Sequence, residues 1–147
     1  MSKIEDRLSK LGLKLKTPKE PVGQYLDCKR IGELLFVSGR VSELIGVVGT
    51  VITIDEAKEA ARDTVLLILS ILKKNLIELD TIFGVVKLQG FIRSDIQFTD
   101  QPHVLDGASE LLIELFGENG RHARTATGVN QLPFGAAIQL DMILILK

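Results

Sequence analysis

An α+β fold, one sheet with two helices packed on a single face, follows from three features of the sequence. Strand-like and helix-like segments succeed one another in the order β-β-(β)-α-β-α-β-β. The longest helical segment and a second, shorter one both show apolar residues at the helical period, so each has one face to bury. The C-terminal strand alternates: Ala136, Ile138, Leu140, Met142, Leu144 and Leu146 share one side, and Ala137, Gln139, Asp141, Ile143 and Ile145 the other. The first set suits the helices. The second is half apolar, and such a face on a single-layer sheet is expected to be covered by another subunit.

Residues 4–11 place Ile4, Leu8 and Leu11 at helical spacing, with Gly12 as the stop, which predicts a short clip over one end of the core. Pro18 and Pro21 stiffen a polar link. Residues 25–30 read as an edge strand, 31–33 as a turn, and 34–39 as a nearly all-apolar strand. Gly46 and Gly49 mark a loop with a short strand at 47–51. Thr53 and Glu56 form a capping box that opens a helix over 55–79, where Ala57, Ala60 and Ala61 permit close approach to a sheet. Residues 83–95 read as a strand, 97–102 as a polar loop, and 105–116 as the second helix, stopped by Gly117. Residues 121–142 then read as a strand, a turn at Leu132-Pro133-Phe134-Gly135, and the last strand.

The chain of 147 residues is expected to form one domain over 1–147, with 1–21 as an N-terminal helix and linker extension. Its net charge of −1 counts against a protein held mainly by nucleic-acid phosphates. Cys28 is the only cysteine and His103 and His122 the only histidines, too few for an internal disulfide or a Cys- or His-based metal site. The N-terminus is charged and lacks a signal-peptide core. The longest uncharged run of the central helix, 64–72, falls far short of the ~20 residues a membrane span needs. The expected location is cytoplasmic. Walker, dinucleotide, GxSxG and HExxH motifs are absent. A triad of Ser38, His122 and an Asp exists only on paper.

Arg124 is the odd residue. It sits among small residues in a strand where apolar ones are expected, and its guanidinium needs an anion. That anion is either a structural carboxylate, with Asp141 and Asp27 as candidates, or the carboxylate of a ligand. A place at a subunit interface is a third option. Tyr25 is either a half-buried aromatic or the lining of a pocket, His122 reads as a solvated loop residue, and Cys28 as a free thiol.

Several stretches together resemble the Rid family, also called YjgF or L-PSP. They are Val22-Gly23-Gln24-Tyr25, Gly32-Glu33-Leu34-Leu35-Phe36-Val37-Ser38-Gly39-Arg40, Ala123-Arg124-Thr125-Ala126, Leu132-Pro133, and the strand ending near Asp141. Order and spacing match over nearly the whole chain, and the N-terminal extension resembles a longer-chain subgroup close to 2-iminobutanoate/2-iminopropanoate deaminases. The resemblance implies a chorismate-mutase-like α+β fold and a homotrimer with ligand clefts between subunits. It also implies hydrolysis of reactive 2-imino and enamine acids to 2-keto acids and ammonia, without a cofactor. Arg124 falls on the family's carboxylate-binding arginine, with the N–H of Ala126 as a further donor. Tyr25 falls on the pocket tyrosine, Gly39 where backbone approaches the ligand, and Asp106 at or near an asparagine. Gln139 stands where the family has a water-handling glutamate; a glutamine can orient water but cannot take its proton. Asp141, two residues on along the same face, is a displaced substitute, and Arg40 replaces a common glutamine. Three functional readings follow: an imine deaminase, a non-catalytic trimeric binder or sensor of small carboxylates, and, disfavoured by the charge, an endoribonuclease.

Overall fold

Strand periodicity resolves into one five-stranded sheet in a computed structural model that describes residues 2–76 and 78–147. The elements are α1 (Lys3–Lys10), β1 (Cys28–Ile31), β2 (Leu34–Val41), α2 (Ile54–Leu76), β3 (Ile82–Arg93), α3 (Gln101–Phe116), β4 (Ala123–Val129) and β5 (Ile138–Leu146). The sheet order is β1-β2-β5-β3-β4. Among the strands of the described residues, only β3 and β4 pair in parallel. This is the α+β, chorismate-mutase-like arrangement, with α2 and α3 on one face.

The alternation in β5 sets which face is which. Ile138, Leu140, Met142, Leu144 and Leu146 are buried, while Gln139, Asp141, Ile143 and Ile145 are half-buried on the opposite face. The buried set meets Val65, Ile68 and Leu72 of α2 and Leu105, Leu111, Leu112 and Leu115 of α3 in one hydrophobic cluster. The two helices touch closely at Gly107, where a Cβ would lie 2.2 Å from the Lys58 carbonyl oxygen.

The Thr53 capping box forms: the Thr53 hydroxyl accepts from the Glu56 N–H at 3.2 Å, and the Glu56 carboxylate accepts from the Thr53 N–H at 3.2 Å. The helix it opens ends at Leu76. The expected continuation to 79 crosses residue 77, which lies outside the described residues, and Leu79–Thr81 is a 3-10 turn. At the N-terminus, Ser2 and Glu5 form a second capping box. Asp80 accepts from the N–H groups of Lys3 and Ile4 at 2.9 and 3.2 Å, and Arg7 donates to the Leu115 carbonyl, so α1 is tied down with Ile4 and Leu8 buried.

Four expectations need correction. Residues 121–142 are not a hairpin, because β3 lies between β4 and β5. The parallel β3–β4 pair demands a crossover, which α3 supplies, and the turn at Pro133–Gly135 carries the chain past β3. The second helix begins at Gln101, not 105; Pro102 sits in its first turn, where a missing N–H costs nothing. Residues 47–51 form isolated bridges, Val48 with Ile52 and Ser94, rather than a strand. The edge strand starts at Cys28, because Leu26 and Asp27 instead follow β2 through Ser38, whose N–H donates to the Asp27 carbonyl at 3.0 Å and whose hydroxyl donates to the Leu26 carbonyl at 2.5 Å. Among the described residues no helix is long and apolar enough to cross a membrane.

Candidate functional site

The β2 strand carries a bulge. Val37 pairs with Met142 and Arg40 with Leu140, so Ser38 and Gly39 together oppose Asp141. The extra residue shifts the side-chain alternation, turning Arg40 to the helix side. There it forms a buried ion pair with Asp27, whose second oxygen accepts from the Asn75 amide at 3.0 Å. A buried charge of this kind requires such a partner. Asp27 therefore belongs to Arg40 and not to Arg124.

On the other side of the bulge lies a cleft of about 570 Å³. Tyr25, Ser38, Gly39, Pro133, Phe134 and Gln139 are among its lining residues. Gly39 lies beside Gln139: a Cβ there would stand 3.4 Å from the Gln139 amide nitrogen, an ordinary contact. Tyr25 is half exposed, its ring lies against Gly23, and its hydroxyl accepts from the Val22 N–H at 3.3 Å. Three of the expected site residues, Tyr25, Gly39 and Gln139, thus line one cleft. Asp141 lies on the same face as Gln139, roughly 7 Å along the strand. Burial pushes its carboxyl pKa up, against an opposing pull from Lys87.

Arg124, Asp106 and Ala126 form a separate group at the far edge of the sheet. Arg124 lies in register with Leu88 and, beyond it, Met142, on the helix side. Its Nη1 donates to Asp106 Oδ1 at 2.7 Å and to Ser109 Oγ at 3.1 Å, and its Nη2 to the Pro102 carbonyl at 3.3 Å. The anion inside the chain is therefore Asp106, not Asp141. Asp106 and Ser109, three residues apart on α3, hold one edge of the guanidinium. Among the described residues no partner meets Nε–H, and one Nη2–H is also left over, an edge with the geometry of a carboxylate fork. Ala126 lies two residues along β4, an edge strand that leaves alternate backbone groups unpaired on its outer side.

His122 is not a solvated loop residue. It is half-buried, with Nδ1 2.6 Å from the Gly120 carbonyl and Nε2 2.9 Å from Ser109 Oγ. The carbonyl can only accept, so Nδ1 carries the proton. In the neutral ring the Ser109 hydroxyl then donates to Nε2 while accepting from Arg124. Ser38 and His122 are engaged elsewhere and form no triad. Two features escaped the sequence reading, the Asp27–Arg40–Asn75 cluster and the Ser109–His122 support of Arg124. Spacing gave a signal only for the second, in the Asp106–Ser109 step. Among the described residues no three His, Cys, Asp or Glu side chains converge as metal ligands would.

A bulged, cleft-bearing sheet at one end and an arginine braced on an edge strand at the other define a class of single-sheet α+β protein. The chain belongs to the family described as "YjgF/chorismate_mutase-like, putative endoribonuclease", whose model matches residues 5–143. It is 38% identical to protein TCP17 of Trypanosoma cruzi over 148 residues, covering 96% of this chain and 92% of that protein. Among solved structures it is similar to protein Atu1372 of Agrobacterium tumefaciens, described as of unknown function. There the identity is 36%, the TM-score 0.91, and the coverage 99% of this chain and 93% of that one. It is also similar to a Shewanella oneidensis protein described as a "putative endoribonuclease", with 30% identity, a TM-score of 0.93, and 97% and 99% coverage.

Proposed function

We propose that the protein is a homotrimer that binds small 2-imino and 2-keto acids between neighbouring copies and hydrolyses the imino acids. The observation that carries this reading is the Arg124 guanidinium, fixed along one edge by Asp106 and Ser109 with its Nε/Nη2 edge left to a carboxylate. Within one chain that fork and the Tyr25–Gly39–Gln139 cleft lie on opposite sides of the sheet and on different strands. A complete site therefore takes Arg124 and Ala126 from one copy and the cleft from the next.

The chemistry demands little. Water adds to the imine carbon, its oxygen forms the new C–O bond, and the proton it loses is passed to the nitrogen, giving the carbinolamine. The carbinolamine hydroxyl then loses its proton as the nitrogen accepts a second one, and cleavage of the C–N bond expels ammonia and leaves the 2-keto acid. The gain comes from fixing the carboxylate and aligning the water. Gln139 orients that water through its amide, and the desolvated Asp141 carboxylate takes the proton. The proton acceptor thus sits one strand repeat from the position the family uses.

The test supplies 2-aminoacrylate from a serine dehydratase and follows 2-keto acid release. Wild type accelerates release, and Arg124→Ala lowers kcat/KM by roughly tenfold or more, the worth of a charged hydrogen-bond pair. Full activity in that variant sinks the proposal. Gln139 favours a second reading, a trimer that binds such acids without turning them over. It predicts saturable 2-ketobutyrate binding with a flat imine assay. The net charge of −1 supports neither reading over the other but weakens RNA cleavage. RNA degradation that persists in purified Arg124→Ala would revive that third reading.

A further inference from the structure

Phe134 is the one non-glycine residue among the described residues with a positive φ, 60°, and it is 69% exposed. A bulky aromatic in the left-handed region is strained, and this one gains little burial in return. Its turn is nonetheless pinned from three sides. The Gly135 carbonyl accepts from the Gly46 N–H and from Arg93 Nη1, both at 3.1 Å, and the Gly135 N–H donates to the Leu132 carbonyl at 3.1 Å. The fold thus holds Phe134 in a costly conformation at a fixed place. That place is the boundary between two cavities. One is the cleft of about 570 Å³ already described. The other, about 390 Å³, lies beyond Phe134; its apolar walls are Val22, Val41, Ile45 and Leu67, and Arg40, Ser42 and Glu43 also border it.

We infer that Phe134 sets substrate size, and that the second cavity receives the side chain of a 2-imino acid bearing a branched aliphatic or aromatic group. The inference rests on the proposed binding of small 2-imino and 2-keto acids in the first cleft. A substrate of three or four carbons would leave the second cavity empty, whereas a leucine- or phenylalanine-derived acid would extend past the Phe134 ring onto apolar walls. Each buried methylene in such a pocket contributes roughly tenfold or more in discrimination. Its polar neighbours do not oppose this: Lys19, Glu20 and Glu43 are exposed, the Arg40 charge is held by Asp27, and the Ser42 hydroxyl is engaged by the Leu44 carbonyl and the Ile138 N–H.

The experiment titrates the full chain calorimetrically with pyruvate, 4-methyl-2-oxopentanoate and phenylpyruvate, stable stand-ins for the imines. Wild type is expected to bind one or both larger acids at least about tenfold more tightly than pyruvate. Phe134→Ala, which removes the apolar ring that the longer side chain packs against, and Ile45→Trp, which fills the second cavity, should each cut that ratio by about tenfold. Both positions are exposed, so both variants fold. A wild-type ratio near one overturns the inference and leaves the proposed function standing. So does a ratio preserved in both variants. No binding of any 2-keto acid defeats the proposed function and the inference with it. A flat imine assay with the expected ratios defeats hydrolysis alone. A changed sedimentation coefficient in Phe134→Ala with an unchanged ratio assigns the residue to subunit contact and overturns the inference.

Discussion

Asp141 meets two opposed demands. Burial on the open sheet face raises its pKa, which penalises the ionised form in the folded state. The stability its protonated form contributes is therefore full below the unfolded value of 3.8 and is lost as pH rises through the raised folded value. At pH 7 the chain carries that cost, and a proton acceptor gains from it, because a raised pKa makes a better base. Asp141→Asn should melt higher than wild type at pH 7, and the gain should vanish below about pH 3.8. The same variant should lose roughly a hundredfold or more in imine hydrolysis. Thermal melts at pH 7 and pH 3, run beside the imine assay, check both. A variant that melts no higher at pH 7 contradicts the argument. Arg124 stood out in the sequence as a type out of place among small residues, whereas Gly39 entered only through the family resemblance. The charged partners were not legible. Arg124 meets Asp106 across 18 positions and Arg40 meets Asp27 across 13, and pairing at that range depends on topology that local spacing does not encode.

The helices and strands were legible wherever periodicity ran unbroken, as in α2 and β5. The capping box at Thr53 fixed a boundary because its two hydrogen bonds are local. Strand partnership was another matter. Two strands separated by a Pro-Gly turn look like a hairpin, yet β4 pairs with β3 instead, because α3 returns the chain alongside it in parallel. The position that makes this packing possible is Gly107. It lets α3 approach α2 until only a hydrogen fits, and a Cβ would meet backbone atoms of Lys58 rather than a side chain that could move aside. Gly107→Ala would raise helix propensity in isolation. In the fold it forces the helices apart, which costs about 3 kcal/mol, the upper range for overpacking. Urea unfolding followed by circular dichroism measures it, and an unchanged midpoint would mean that the α2–α3 contact is looser than the close approach at Gly107 indicates. Because α3 also carries Asp106 and Ser109, the same variant should weaken 2-keto acid binding as Arg124 loses its brace.

The open sheet face supports the proposal that one chain is not the functional unit. Phe36 and Val86 remain exposed there, and Ile143 and Ile145 only half-buried, an apolar surface that water disfavours and a second copy would cover. The proposed site has the same incompleteness, since Arg124 and the Gln139–Asp141 pair lie on opposite faces of one sheet. A composite site can be tested by complementation. Arg124→Ala and Asp141→Asn each lack one half, and each alone should retain no more than about a tenth of wild-type hydrolysis. In trimers assembled from an equal mixture, an intact site needs Arg124 from an Asp141→Asn copy and Asp141 from an adjacent Arg124→Ala copy. Random assembly satisfies both at about one site in four. The mixture should therefore recover about a quarter of wild-type hydrolysis after co-refolding, and none when the preformed proteins are combined without subunit exchange. A site contained within one chain would give no recovery under either condition, because every chain would carry a defect. Phe36→Asp supplies the matching control: a charge on the open face should reduce the sedimenting species to a monomer with unchanged helix content, and hydrolysis should disappear with the assembly.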